Sequence, residues 1–503
     1  MSNSDAQTTN RRQMNPAESA ATPTSTDLTL DTATASRNRL VISLLLVSTF
    51  VVILNETIMG VAIPHLMHDL GITASTAQWL TTAFMLTMAV VIPVTGFLLQ
   101  RLNTRPVFML AMTTFSLGTL VAALAPGLPV LLVGRIIQAI GTAIMMPLLM
   151  TTIMTLVPPE SRGKTMGNIS IVISVAPAIG PTLSGIILSQ LTWRWMFWLV
   201  LPIALGSLIL GATRISNVAT TNDAPLDVPS VILSVFGFGG LVYGLNKIGE
   251  MASNAGSVAG WAPLAVGAVA LVAFIARQLW LQRKDRALLD LRTLTSRNFT
   301  LCVTALAISM MALFGTFILL PIYMQNVLGL DPLKCGLLLL PGGLIMGLMA
   351  PPVGRFYDRH GPTFLVVPGT LMASAVLWWM TTISPNTPVP ALLIAHVVLS
   401  VGLALTFTPI YTAGLGSLPS KLYSHGSALV GTIQQLAGAA GAALFVALMS
   451  LQTTALLSKG LSQVAATAGG IRVAFVWGAV ISMFAVAAAF FVKKPLDGGP
   501  SHG

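Results

Sequence analysis

The chain is poor in charge. Its 503 residues include only 15 Asp and Glu and 26 Lys and Arg, 8% together, where a soluble domain carries about 25%. With 54% hydrophobic residues, this composition excludes an ordinary soluble fold and points to a polytopic membrane protein. The net charge of +11 does not revive a nucleic-acid partner, because the basic residues form no clustered patch or recognisable module. A Cys/His metal pattern is lacking, as is a soluble segment large enough to bind ATP. Gly163-Lys164-Thr165 has the look of a phosphate loop, but Pro158 stands where that loop needs Gly and no strand precedes it. A membrane-embedded enzyme would need clustered carboxylates, His or Cys at one depth, and none is visible. With no cofactor implied, the energy source is an ion gradient.

What the chain has is apolar length. Stretches able to cross roughly 30 Å of hydrocarbon as helix fall near 40–63, 75–99, 106–126, 129–155, 165–189, 194–213, 228–247 and 261–281. Six more fall near 299–325, 335–354, 363–383, 389–412, 426–451 and 471–492. The expected fold is therefore all-α, a polytopic membrane protein with 14 transmembrane helices. Residues 1–38, rich in Ser, Thr and Ala, read as a disordered cytoplasmic tail, and 493–503 as a second tail. No short apolar region with a small-residue cleavage site precedes span 1, which itself directs insertion.

Charge distribution tests the count. With the N-terminus inside, 20 Lys and Arg fall on inner segments and 5 on outer ones, leaving Arg135 within a span. That asymmetry follows the positive-inside rule and places both termini in the cytoplasm. Cys302 lies near the inner end of span 9 and Cys335 near the outer end of span 10. They are beyond disulfide reach.

Two ionisable residues break the pattern. Glu56 stands roughly 24 Å up span 1 and Arg135 roughly 9 Å down span 4 at 1.5 Å per residue, so both fall in the outer third. Charges at that depth are costly unless paired or hydrated, and they mark functional sites. Glu56 reads as a proton site tuned by Arg135; the alternative is a permanently charged pair that locks two helices. Gln138, Tyr323, Gln325, Asn326, His396, Gln434 and Gln435 are polar residues on core spans and could line a cavity. Each could also tie helices together. Trp193, Trp195 and Trp198 read as interface anchors.

The chain also repeats itself. Gly96-Phe-Leu-Leu-Gln100-Arg101 after span 2 and Gly354-Arg-Phe-Tyr-Asp358-Arg359 after span 10 are 258 residues apart, as are Gly180 and Gly438. Spans 1–6 (39–214) and 9–14 (298–492) therefore read as two copies of one six-helix unit. Spans 7 and 8 lie in a linker (215–297). Such parallel repeats hold substrate between the halves of transporters.

On these motifs the chain resembles the major facilitator superfamily, specifically its fourteen-spanning drug:proton antiporter branch. The resemblance rests on Leu54-Asn-Glu-Thr-Ile-Met-Gly-Val-Ala-Ile-Pro64, Gly96 to Arg105, Arg135-Ile-Ile-Gln138-Ala-Ile-Gly141, Gly180-Pro181 with Gly185, Trp193 to Phe197 and Leu328 to Gly336. The Asn-Glu-Thr wording is most similar to the lincomycin-resistance type. The resemblance implies proton-coupled export of lipophilic or cationic drugs across a bacterial cytoplasmic membrane by a monomer. A metabolite or sugar carrier is the nearest alternative. It makes Gly96, Gln100, Arg101 and Arg105 with Gly354, Asp358 and Arg359 a gating lock. Gly180, Pro181 and Gly185 become the antiporter motif, or else a simple helix-packing stripe. Two departures stand out. Asn55 occupies the place of the family's usual Asp, so the carboxylate at Glu56 is displaced by one residue, about 100° around the helix. Gln100 replaces the acid of the first gating motif.

Overall fold

The computed structural model describes residues 25–215, 217, 226–251 and 261–495. Among these residues, 14 helices are long and apolar enough to cross a membrane, and no strand occurs. Hydrocarbon offers no partner for backbone N–H and C=O groups, so each apolar run closes its hydrogen bonds within itself. The first six helices are α1 (Ser25–Leu70), α2 (Ala74–Arg101), α3 (Thr104–Ala123), α4 (Leu128–Leu156), α5 (Arg162–Gln190) and α6 (Arg194–Arg214). Next come α7, in the successive pieces Val228–Ser234, Val235–Gly239 and Gly240–Met251, and α8 (Trp261–Leu281). The last six are α9 (Arg297–Asn326), α10 (Pro332–His360), α11 (Thr363–Met380), α12 (Val389–Gly416), α13 (Tyr423–Leu457) and α14 (Gln463–Ala489).

Several expectations need correction. Helix α1 begins at Ser25, so residues 25–38 are helix rather than disordered tail; an apolar span propagates helix into its polar flank at little cost once nucleated. Residues 1–24 and 496–503 lie outside the described ones. Helix α10 continues to His360 and α14 starts at Gln463, because hydropathy marks the hydrocarbon crossing and not where the helix stops. Trp193 is 1% exposed and packs edge-on against Phe197. It is a core residue and not an interface anchor, unlike the exposed Trp195 and Trp198.

The two six-helix units pack alike. In the first, α1 lies against α4, α5 and α6, α2 against α4, and α3 against α4 and α6. Adding eight to each number gives contacts of the second: α9 with α12, α13 and α14, α10 with α12, and α11 with α12 and α14. The units meet along two antiparallel seams, α5 on α10 and α2 on α13, which exchange places under the same shift. The α7–α8 hairpin adds to one seam only, touching both α2 and α13. Its π-helical turn at Val235–Gly239 marks where Gly240 of α7 meets Gly267 of α8.

Candidate functional site

Helix α4 carries Arg135 two turns in from its start, against a stripe of close contacts with α3. A Cβ on Gly118 would lie 2.4 Å from the backbone nitrogen of Gln138, so the two helices touch backbone to backbone there. That approach brings the Gln138 amide to Thr119, to which its Nε2 donates at 2.8 Å. The other end of the amide accepts from Arg135: Nη1 lies 2.7 Å from Gln138 Oε1 and 3.2 Å from Asn55 Oδ1. The guanidinium carbon sits 4.0 Å from the centre of the Phe84 ring on α2. Arg135 is 1% exposed, and this cradle of neutral dipoles and an aromatic face is what makes a buried cation tolerable.

Glu56 is not part of the cradle. Among the described residues no salt bridge joins it to Arg135, although each feels the other's charge. The alternative of a bonded pair locking two helices therefore does not hold among the described residues. Asn55 is 3% exposed and takes the contact, because successive residues point about 100° apart and only one can face α4. Glu56 remains half-buried on the neighbouring face of α1. Helix α5 closes on α1 beside it, where a Cβ on Gly180 would stand 2.3 Å from Thr57 Oγ1. Gly185 faces open space, so it has no part in a packing stripe. The side chain of Pro181 lies outside the described ones.

Other expected cavity residues are mostly structural ties. Tyr323 donates to the Ser384 carbonyl at 2.5 Å, which fixes α9 to the α11–α12 loop. Gln325 and Asn326 are exposed at the end of α9. His396, 261 residues after Arg135 on the equivalent helix of the second unit, lies 3.2 Å through Nε2 from the Leu339 carbonyl of α10. Gly342 makes room for its ring, and its buried Nδ1 has no partner. Tyr323 and His396 thus each reach a neighbouring backbone carbonyl, with His396 Nδ1 left open, and Gln325 and Asn326 lie at a helix end. Asn55 and Gln138 likewise serve Arg135. Gln434 and Gln435 remain half-buried on α13; Gln435 reaches Met88 Sδ of α2 at 3.8 Å, and Gln434 lies beside the partnerless hydroxyl of Tyr411.

Both seams carry polar bonds at the end of the bundle that holds the basic loops. On one, Asp358 accepts from the backbone nitrogens of Gly163 at 2.7 Å and Lys164 at 2.8 Å, in the first turn of α5. There a carboxylate meets the positive end of a helix. Gly354 and Gly163 permit the approach, for a Cβ on Gly354 would stand 2.1 Å from the Gly163 carbonyl oxygen. Contacts continue to Gly343 and Ala178. On the other seam Gln100 Nε2 donates once, to the Lys421 carbonyl at 2.9 Å, and Gly96 faces His425. Arg101 and Arg359 are exposed at the helix ends, as is Arg105, whose backbone nitrogen donates to Asn217 Oδ1 at 3.3 Å.

The sequence profile of the Major Facilitator Superfamily matches residues 45–442. The chain belongs to this superfamily. It is 39% identical over 459 residues, 90% of its length and 96% of the relative's, to the lincomycin resistance protein LmrB of Listeria monocytogenes. Identity to the probable multidrug resistance protein EmrY of Escherichia coli is 28% over 404 residues, 80% of this chain and 78% of that one. Among solved structures, the human organic anion transporter MFSD10 superposes with a TM-score of 0.64 at 14% identity, covering 90% of this chain and 99% of its own. The proton:xylose symporter XylE superposes with a TM-score of 0.60 at 16% identity, covering 91% and 95%. These last two share the fold.

This major facilitator protein also holds polar groups that its sequence did not flag. Arg277 grips Asp227 through two 2.7 Å hydrogen bonds, and these hold the Asp227 carboxyl down to about 2. Gln278 is buried beside them. Beyond α8, Asp290 and Asp285 both bind Arg292; its hydrogen bonds keep the Asp285 carboxyl below the usual range. Arg277 and Arg292 counted as ordinary basic loop charges. An Asp three residues ahead of Ser230 at a helix start was the available signal for the first cluster.

Proposed function

We propose that the chain is a proton-coupled exporter of lipophilic or cationic drugs, working as a monomer in the bacterial cytoplasmic membrane with both termini inside. The observation that carries this reading is the unbonded carboxylate of Glu56 beside an Arg135 already held by neutral amides. A carboxylate at membrane depth that is free of a salt bridge can take up and release a proton. It can also attract a cation, and since proton and cationic cargo compete for one charge, occupancy by one favours release of the other. The names of the LmrB and EmrY relatives support drugs, including lincosamides, as cargo.

Under the positive-inside rule the basic end is cytoplasmic, so the bonded seams there describe an outward-open state. Glu56 stands just above the level of the Ala178–Gly343 approach, beside Gly180. Protonation from outside neutralises Glu56, cargo leaves, and closure above the site then permits the cytoplasmic seams to release. The decisive experiment is proton-driven efflux in vesicles carrying Glu56→Gln, expected to fall at least tenfold; undiminished coupling removes Glu56 from the mechanism. Accumulation of a lincosamide and several cationic dyes in a pump-deficient host tests the cargo. Uptake in place of export sinks the drug-efflux reading.

A further inference from the structure

The connector between α8 and α9 is built unlike an idle loop. Its residues Ala287, Leu288, Leu289 and Asp290 are all buried, with Asp290 3% exposed, although Arg283, Lys284, Asp285 and Arg286 precede them directly. A buried loop must find partners for its backbone. Gln278, 0% exposed, supplies them: its Oε1 accepts from Leu288 N at 2.8 Å and Leu289 N at 3.2 Å. Its Nε2 donates to Ser230 Oγ at 2.7 Å, and Ser230 is bound in turn to Asp227. The connector is thus fastened to both helices of the inserted hairpin. Within it, Asp290 accepts from the backbone N of Arg292 at 2.9 Å and from its Nε at 2.9 Å.

The other face of the connector lies on the gate. Ser296 at its end donates through Oγ to Ser417 Oγ, 3.3 Å away just ahead of α13. Leu288, Asp290 and Arg292 are the groups that act on the ring of His425 in the first turn of that helix. Asp285 acts on Lys421, whose carbonyl receives Gln100 of α2. On its opposite side His425 abuts Gly96 of α2, Nδ1 lying 3.1 Å from where a Cβ would stand. From α2 outward the order is therefore Gly96 and Gln100, then His425 and Lys421, then the connector, then the hairpin.

We infer that residues 285–296 are a positioning strap of the gate, which holds α13 against α2 on the seam where the chain lacks the acid of the gating motif. The α5–α10 seam has two charge-assisted bonds from Asp358 and no inserted helices. On the α2–α13 seam Gln100 contributes one neutral bond at the basic end, with Gln435 reaching Met88 Sδ elsewhere along it, and it is the seam that the hairpin straddles. The strap makes up on the outside of α13 what Gln100 does not supply between the helices. It bears on gating in any major facilitator cycle and is independent of the cargo.

The test uses the full chain in lipid nanodiscs with Cys302 and Cys335 replaced by Ser. One spin-label pair sits at Asn103→Cys and Ser420→Cys across the α2–α13 seam, a second at Glu160→Cys and Arg359→Cys across the α5–α10 seam. Arg292→Gln and Gln278→Leu are expected to raise the long-distance population of the first pair at least threefold and to move the second pair less, with Arg292→Lys partly restoring the short distance. Asp358→Asn should reverse that pattern. Overall loosening of the fold would widen both pairs alike and overturn the strap, as would an unchanged first pair. If Asp358→Asn is silent as well, the gate itself is misread and the strap falls with it. Arg292 is partly exposed at the protein rim, so its variant carries the test should Gln278→Leu fail to fold.

Discussion

The Arg135 guanidinium donates to Asn55 Oδ1, 3.2 Å away on α1, and leaves the carboxylate at the next position without a salt bridge. Under the proposed function, stability and coupling then fall to adjacent residues. Asn55→Ala removes one hydrogen bond from a buried cation and should cost about 1.5–3 kcal/mol, read as a lowered thermal unfolding midpoint. Glu56→Gln should leave that midpoint nearly unchanged while abolishing proton-driven transport. Adding Asn55→Asp to Glu56→Gln places the acid against Arg135 and should not restore the coupling. If the two single variants instead share one phenotype, this division of roles is wrong.

The gate is unequal in strength. Asp358→Ala deletes two hydrogen bonds to a charged acceptor, about 1.5–3 kcal/mol each at most, whereas Gln100→Ala deletes one neutral bond, about 1 kcal/mol. Cysteine accessibility at the basic end should therefore rise much more for Asp358→Ala. Equal effects would mean that the bonds do not set the closed population.

Glycines on α5 offer a paired test of packing. Gly180→Ala drives a methyl into Thr57 and should cost about 1–3 kcal/mol as overpacking, with leak of protons through a loosened α1–α5 contact. Thr57→Ala, which removes the clashing hydroxyl, should recover part of that loss. Gly185→Ala meets nothing and should be silent in both thermal unfolding and leak assays.

The tie at the hairpin has a defined pH window. Asp227 titrates near 2 in the folded chain and near 3.9 when unfolded. The unfolded chain thus binds the proton first as pH falls. The stabilisation is whole above about pH 4 and is lost on acidification towards pH 2. Partial exposure limits it to about 1 kcal/mol. Wild type and Asp227→Asn should differ in unfolding midpoint at pH 7 and converge only towards about pH 2.

Apolar length made the helices legible, and spacing made the repeat legible: Gly96 and Gly354 announced the two seams 258 residues apart. What could not be read was which neighbour each polar side chain chooses. Arg135 and Glu56 matched in depth, yet the turn of α1 gave the contact to Asn55. Tyr323 and His396 resembled cavity residues because hydropathy sees polarity and not the carbonyls of Ser384 and Leu339 that they reach. Gln278 was invisible because its partners are backbone groups of a loop that composition alone would leave in water.

One consequence of the unequal seams concerns the path of opening. Two equal latches would have to release together. Here the α5–α10 edge, with Gly163 against Gly354 and Asp358 across a helix end, gives way last, and the α2–α13 edge yields once its neighbours let go. Under the proposed cycle, the end that carries the basic loops would therefore swing like a door rather than spread like an iris, with its hinge line along α5 and α10. Cargo would enter from the side of α2, under the inserted hairpin.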